Sequence, residues 1–261
     1  MTESKIQQFP KTRIATIDIC AVGLQKHYIP ALIEMDITVG REKIRQYKNT
    51  DKRISFTAWL IKVISRTIKD YEPVASYLNG KRNIVIFKDV NVSIIVEKNL
   101  RNQKVPIPLV IEKANERSVE SITQQIDDAR SKDLTENDIV LQRRSSRLER
   151  LYYILPGFIR RFFWRYLLRH PHWAYSKMGN VSLTSIGMMG SANGWFIPRS
   201  VHPVCFGIGR ITKKPVVING KIEIREILNM TVLLDHDVAD GALMARFIGA
   251  LSENIEKGVE L

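Results

Sequence analysis

The sequence predicts an α/β protein, a two-layer sandwich built on a mixed sheet. Two observations carry that expectation. Strand-like runs and helical patterns are mixed along the whole chain, so each layer has a partner to cover its apolar face. They do not follow the strict strand-helix-strand alternation of a doubly wound parallel sheet.

Element by element, residues 31–38 alternate apolar and acidic side chains and read as a strand. Residues 39–48 form a short basic helix. Ser55-Phe56-Thr57 caps the next helix, in which Phe56, Leu60, Val63, Ile64 and Ile68 recur at helical spacing and which Pro73 ends. Asn79-Gly80 marks a turn. Ile84–Phe87 and Val90–Val96 read as strands joined into a hairpin by Lys88-Asp89. Val105–Ile111 is extended, and its two prolines suit an edge or a loop. A helix over 118–131 starts at Ser118, with Glu116 and Glu120 near its positive end. Strand-like segments then fall at 181–186, 204–209, 215–218, 222–225 and 229–234, separated by Gly, Pro and Asn. A last helix covers 241–257.

Composition narrows the function classes. The chain has 261 residues, 44% of them hydrophobic, enough for one large domain or two small ones. No uncharged apolar run is long enough for a simple transmembrane helix, and Met1–Lys5 lacks the apolar core of a secretory signal. Two cysteines, Cys20 and Cys205, argue against a disulfide framework and for a reducing cytoplasm. The formal charge of +13 suits an anionic membrane, phosphorylated cofactors or a merely solvated basic surface. Nucleic acid ranks low, because no motif with metal ligands or stacking aromatics accompanies the charge. His170-Pro171-His172 is too closely spaced for a metal site, and no metal is expected.

One place in the chain sets several chemically active types at a specific spacing. Leu234-Asp235-His236-Asp237-Val238-Ala239-Asp240-Gly241 is a His-x-x-x-Asp-Gly signature between an apolar strand and a helix. An imidazole with an ordinary pKa near 6.5 can take a proton from a thiol or an alcohol near neutrality. Asp240 sits at the start of the helix and can fold back on the turn, and Gly241 permits a tight strand-to-helix passage. The same residues also describe a core histidine at a strand end beside an N-capping aspartate.

Other segments weigh on that choice. Ala31–Thr38, Ser55–Ser65, Tyr71–Ala75, Asp89–Val96, Lys104–Val110, Val181–Gly187 and Asp235–Ala242 occur in the order found in one family. The chain resembles the catalytic domain of the dihydrolipoamide acyltransferases, the E2 components of 2-oxo acid dehydrogenase complexes. These share fold and signature with chloramphenicol acetyltransferase. The resemblance implies a chloramphenicol-acetyltransferase-like fold, a homotrimer with sites at the subunit interfaces, and a larger assembly as a further option. It implies acyl transfer between thiols, with coenzyme A as the acyl-coenzyme A substrate and a dihydrolipoyl or pantetheine carrier on the other side. In that scheme His236 is the general base and Thr184, across the interface, donates to the oxyanion, with Ser185 as the fallback. Asp240 orients the loop through an arginine, for which Arg13 is the candidate. Thr184 is also an ordinary residue for a strand. Acyl transfer to an alcohol or amine, and a non-catalytic scaffold core, are the competing readings.

The chain departs from the family pattern in three respects. It shows no lipoyl domain, no peripheral-subunit-binding domain and no covalently bound lipoyl, so the carrier is expected to be a separate molecule. Asp237 stands where the family has an arginine, and a carboxylate there is expected either to raise the pKa of His236 or to weaken a subunit contact. Roughly 35–40 extra residues lie between Leu134 and Val181, against the few residues usual for a connection. This inserted segment, at about 138–176, is basic and aromatic. A helix over 158–169 places Arg161, Arg165 and Arg169 on one stripe and Ile159, Phe162, Phe163, Tyr166 and Leu167 on another. Residues 143–173 therefore suit ordinary packing on the subunit or its trimer neighbour, a membrane surface, a partner protein or a roof over the site. A cytoplasmic protein, at most peripheral to the membrane, is the expected location.

Overall fold

The computed structural model describes residues 4–6, 9, 12–47, 53–100, 103–131, 147–186 and 193–261. Leu134 and the start of the inserted segment, with Arg143 and Arg144, lie outside them. Helix α1 (Thr12–Gly23) leads into strand β1 (Tyr28–Asp36), helix α2 (Thr38–Tyr47) and helix α3 (Phe56–Asp70). A 3-10 turn over Glu72–Ala75 is followed by β2 (Tyr77–Asn79), β3 (Asn83–Val85), β4 (Val92–Leu100), β5 (Gln103–Ile111) and α4 (Val119–Ser131). Then come α5 (Arg147–Ile154), α6 (Gly157–Leu168), α7 (Pro171–Met178), β6 (Val181–Ser185), β7 (Val204–Ile218), β8 (Lys221–Asp235) and α8 (Gly241–Glu256).

The main sheet runs β1-β8-β7-β6-β4-β5. β6 is parallel to both its neighbours, and every other pair is antiparallel. The sheet is therefore mixed, as the sequence pattern predicts. Alternate residues of its strands (Val92 and Ile94, Val181 and Leu183, Val204 and Phe206, Met230 and Val232) enter one apolar core with α3, α4 and α8. Ser55 caps α3, its hydroxyl accepting from the Ala58 amide at 3.1 Å. Trp59 is fully buried in that helix, and its indole N–H donates to the Val259 carbonyl at 2.8 Å, tying the chain's C-terminal turn to the core.

Two strand expectations need correction. Ile84–Phe87 does not pair with Val90–Val96. Asn79-Gly80, with Gly80 at φ +67°, turns β2 back onto β3 as a separate two-stranded sheet. β4 instead joins the main sheet, between β5 and β6. The four segments at 204–209, 215–218, 222–225 and 229–234 are two long strands. Asn219 and Gly220, both at positive φ, make the tight turn between them. A register shift between Ile208 and Ile211 supplies the break that reads as a strand end. β5 is an edge strand, where its prolines cost the ladder least.

The second face of the sheet is partly covered by residues 193–203. An added Cβ at Gly23 would lie 2.4 Å from the Ser200 carbonyl oxygen, so glycine is required there for close approach, and one at Gly207 would make a tight 3.1 Å contact with the Phe196 carbonyl oxygen. His202 pins this covering to α7. Its Nε2–H donates to the Met178 carbonyl at 3.0 Å, which leaves Nδ1 to accept from the Ser200 hydroxyl at 3.1 Å. The Ser200 hydroxyl in turn lies 3.0 Å from that of Ser182 on β6.

Burial holds the His202 pKa down at about 4, against an ordinary 6.5. Between those values the unfolded chain binds more protons than the folded one, so stability falls as the pH drops from about 6.5 towards 4. Linkage puts the full loss at about 3 kcal/mol. Urea unfolding at pH 7 and pH 4.5 should show this loss, and His202→Gln should flatten the difference between the two pH values. An unchanged slope in the variant would assign the acid sensitivity to other groups.

Candidate active site

The site grows out of the pairing of β1 with β8. Tyr28 stands opposite Asp235, so residues 26–27, just before β1, face the turn that follows β8. Asp235 is buried and organises that turn. Its carboxylate receives the Lys26 ammonium at 2.5 Å and the Asp237 amide at 3.3 Å. Its own amide donates to the Pro203 carbonyl at 3.1 Å, and its carbonyl accepts from Val238 and Ala239. The His236 amide donates to the His27 carbonyl at 3.0 Å. The backbone of His236 is thus held on both sides while its side chain stands exposed at the surface.

Asp237 does not turn towards His236. Its carboxylate lies 2.8 Å from Nδ1 of His27, and this hydrogen bond holds the His27 pKa above its ordinary value. The Asp237 carboxylate is engaged by His27. Asp240 caps α8, accepting from the Leu243 amide at 2.7 Å. Among the described residues no ion pair joins it to Arg13, which is exposed on α1. Gly241 is the first residue of α8, without positive φ, and an added Cβ there meets nothing within 4 Å. Its freedom is therefore not what the passage needs. The capping aspartate and the hub at Asp235 make the turn.

Thr184 lies on β6, half-buried, in register with Gly207 on β7 and through it with Thr231 on β8. Register partners share a face, so Thr184 and Thr231 point away from the helical layer. Thr231 is buried and its hydroxyl has no hydrogen-bond partner. Asp235, the last residue before His236, is four residues further along β8 than Thr231. Four strand residues span roughly 13 Å, and β6 lies two strand spacings, about 10 Å, to the side. Thr184 and His236 of one chain therefore do not meet. Ser185, the next residue, is exposed at the strand end.

Lys26, His27 and the hub role of Asp235 escaped the sequence reading, which started β1 at Ala31. Tyr28-Ile29-Pro30 in front of it was the available signal: extending the strand to Tyr28 brings Lys26 and His27 opposite the signature. Among the described residues no group of three metal-ligating side chains forms, and no helix is long and apolar enough to cross a membrane.

This fold is that of the chloramphenicol acetyltransferases. Chloramphenicol acetyltransferase itself superposes with a TM-score of 0.52 over 98% of both chains, at 9% identity. A probable dihydrolipoamide acetyltransferase from Listeria monocytogenes superposes with a TM-score of 0.68 over 98% of this chain and 96% of its own, at 20% identity. Dihydrolipoamide acetyltransferase from Azotobacter vinelandii, in which a serine, a histidine and an asparagine were investigated for roles in catalysis, gives 0.67 over 97% and 92%, at 17% identity. The family model for 2-oxoacid dehydrogenases acyltransferase (catalytic domain) matches residues 30–140 and 175–261. The chain belongs to this family.

Two relatives in sequence have the same theme. The dihydrolipoyllysine-residue acetyltransferase component of the pyruvate dehydrogenase complex of Mycoplasma pneumoniae is 25% identical over 243 residues, covering 89% of this chain and 51% of the relative. The lipoamide acyltransferase component of the branched-chain alpha-keto acid dehydrogenase complex of Bacillus subtilis is 24% identical over 235 residues, covering 86% and 46%. The chain thus spans about half the length of these relatives.

Asp235 is almost fully buried and Lys26 mostly so. Lys26→Ala should leave a buried carboxylate without its cation and cost about 3 kcal/mol. The urea midpoint at pH 7 reads this, and Lys26→Arg should recover most of it. A loss under about 1 kcal/mol would mean that the pair is screened like a surface one.

Proposed function

We propose that this protein transfers acyl groups between two thiols, one of them coenzyme A and the other a dihydrolipoyl or pantetheine carrier. His236 takes the proton of the attacking thiol. The thiolate adds to the carbonyl carbon of the thioester, and the oxyanion accepts a hydrogen bond from Thr184. Collapse of this tetrahedral species breaks the other carbon–sulfur bond, and the imidazolium returns its proton to the departing sulfur. Asp240 positions the histidine turn by fixing the start of α8.

One observation carries the assignment of roles. In the Azotobacter vinelandii enzyme the three residues investigated are a serine, a histidine 52 positions later and an asparagine four positions beyond that. Thr184, His236 and Asp240 have the same spacing, with a hydroxyl at the first place and a short polar side chain at the third. Family membership and the exposed, backbone-clamped His236 support the same reading.

The register distance between Thr184 and His236 favours a shared site, in which Thr184 of one subunit faces His236 of its neighbour in a homotrimer. The names of the relatives, as components of dehydrogenase complexes, favour further assembly and a lipoyl-bearing partner. Two thiols without a disulfide, Cys20 and Cys205, fit a cytoplasmic location.

The test offers acetyl-coenzyme A with free dihydrolipoamide and follows thiol release. His236→Ala should lower kcat by at least about a hundredfold, the usual contribution of a positioned base. Thr184→Ala should lower it by about tenfold to a hundredfold, with Thr184→Ser restoring most of it. Equal rates in wild type and His236→Ala would refute the proposal. Unfolding His236→Ala and Thr184→Ala together and refolding the mixture should restore activity, because random assembly leaves about one interface in four intact. No recovery would place both groups in one subunit.

A further inference from the structure

The part of the inserted segment that the structure describes docks through a buried charge. On α6, Arg160 and Trp164 point inward, one helical turn apart. Arg160 Nε lies 2.6 Å from the carboxylate of Asp18, a residue of α1 with no exposed surface. Trp164 donates from Nε1 to the Tyr152 hydroxyl at 3.1 Å, and that hydroxyl donates to Asp18 at 3.0 Å. A charged group therefore anchors the helix together with Trp164, and its other aromatic side chains, Phe158, Phe162, Phe163 and Tyr166, are exposed. None of the side chains of α6 is fully buried.

The outward side chains form one strip. Ile154, Phe158, Phe162 and Tyr166 follow at four-residue spacing and are 79%, 68%, 61% and 43% exposed. The strip continues onto α7 through ring contacts from Phe162 to Tyr166 and from Tyr166 to Trp173, itself 60% exposed. Arg165 and Arg169 lie along the same side, both exposed. Among the described residues neither has an acidic partner, and Arg165 meets only the neutral side-chain amide of Gln25, at 3.3 Å. From 143 to 178 the sequence has nine basic residues and one acidic residue. The family match omits 141–174, so the strip is built from residues outside that match.

We infer that this strip docks the protein on an anionic membrane surface. Exposed aromatic and aliphatic side chains beside unpaired arginines are the two halves of an interfacial site: rings enter the boundary between headgroups and acyl chains, and guanidinium groups meet lipid phosphates. The charge selects the occupant. A second copy applied face to face would oppose arginine to arginine, whereas an anionic leaflet offers the complement, worth about fivefold in affinity per basic residue near the surface. α6 has 12 residues, so it lies along the surface without crossing it. Gln25, the partner of Arg165, is two residues before His27, so the docked face adjoins the His236 turn.

The experiment is co-sedimentation of the full chain with vesicles of phosphatidylcholine alone and of phosphatidylcholine mixed with phosphatidylglycerol. Binding is expected only to the mixed vesicles, and it should weaken as salt rises. The double variants Phe158→Ser/Phe162→Ser and Arg165→Glu/Arg169→Glu alter exposed positions, and circular dichroism and thermal unfolding check that both fold. Each should lower the partition coefficient at least tenfold. Failure of the wild type to bind mixed vesicles, or equal binding by the variants, overturns the inference. So does a change of oligomeric state without lipid in the phenylalanine variant, which would assign the strip to a second copy.

Discussion

A single buried carboxylate, that of Asp235, holds the functional end of this molecule together. Desolvating a carboxylate is costly unless it is paired and hydrogen-bonded. Asp235 meets this demand with Lys26, the Asp237 amide and the ladder to Tyr28. Because these partners come from the segment before β1 and the turn after β8, satisfying the charge closes the two ends of one strand pair against each other. His236 is the residue carried outward by that closure. Its position is a consequence of electrostatics one residue away rather than of packing around its own ring.

The two faces of the sheet divide the labour. The helical face is apolar and closes into the core. The opposite face has Ser182, Thr184, Cys205, Thr231 and Asp235, a polar row unusual for central strands. Parts of it are satisfied internally, through His202 and Ser200, and parts are not, as the unpartnered Thr231 hydroxyl shows. A layer covered on one side by helices and on the other by a short irregular segment gives the strands rigidity without filling the second face with hydrocarbon.

Much of this was legible in the sequence. Periodicity placed α3 and α8 to within a residue or two, because long amphipathic helices repeat their signal several times. The mixed sheet was legible from the absence of alternation. The hairpin expected over Ile84–Val96 failed because local turn chemistry at Lys88-Asp89 competes with a stronger turn at Asn79-Gly80. The four short strands that became β7 and β8 failed because Gly209 and Pro215 look like boundaries but lie inside continuous strands, Gly209 at the register shift and Pro215 opposite Ile224. α1 was missed altogether, since its sequence lacks a sharp stripe. Within the site, His236, Thr184 and Asp240 were named from spacing and resemblance. The hub at Asp235 was not, because it depends on a register between residues about two hundred positions apart. The separation of Thr184 from His236 is a property of strand order, which spacing along the chain does not encode.

The anchoring of the inserted segment also makes two parts of the chain depend on each other. Asp18 sits under α6 with its cationic partners, Arg160 and Arg161, and all three lie outside the family match. Without that segment a carboxylate in this position would stand uncovered on an otherwise ordinary first helix. With it, the segment is no longer removable by a single event: its loss would strand the charge, and loss of the charge would loosen the segment. The pair couples the segment to the first helix, so that neither can be altered without unsettling the other. The outward aromatic strip is thereby tied to the first helix through a buried charge and not through its own side chains.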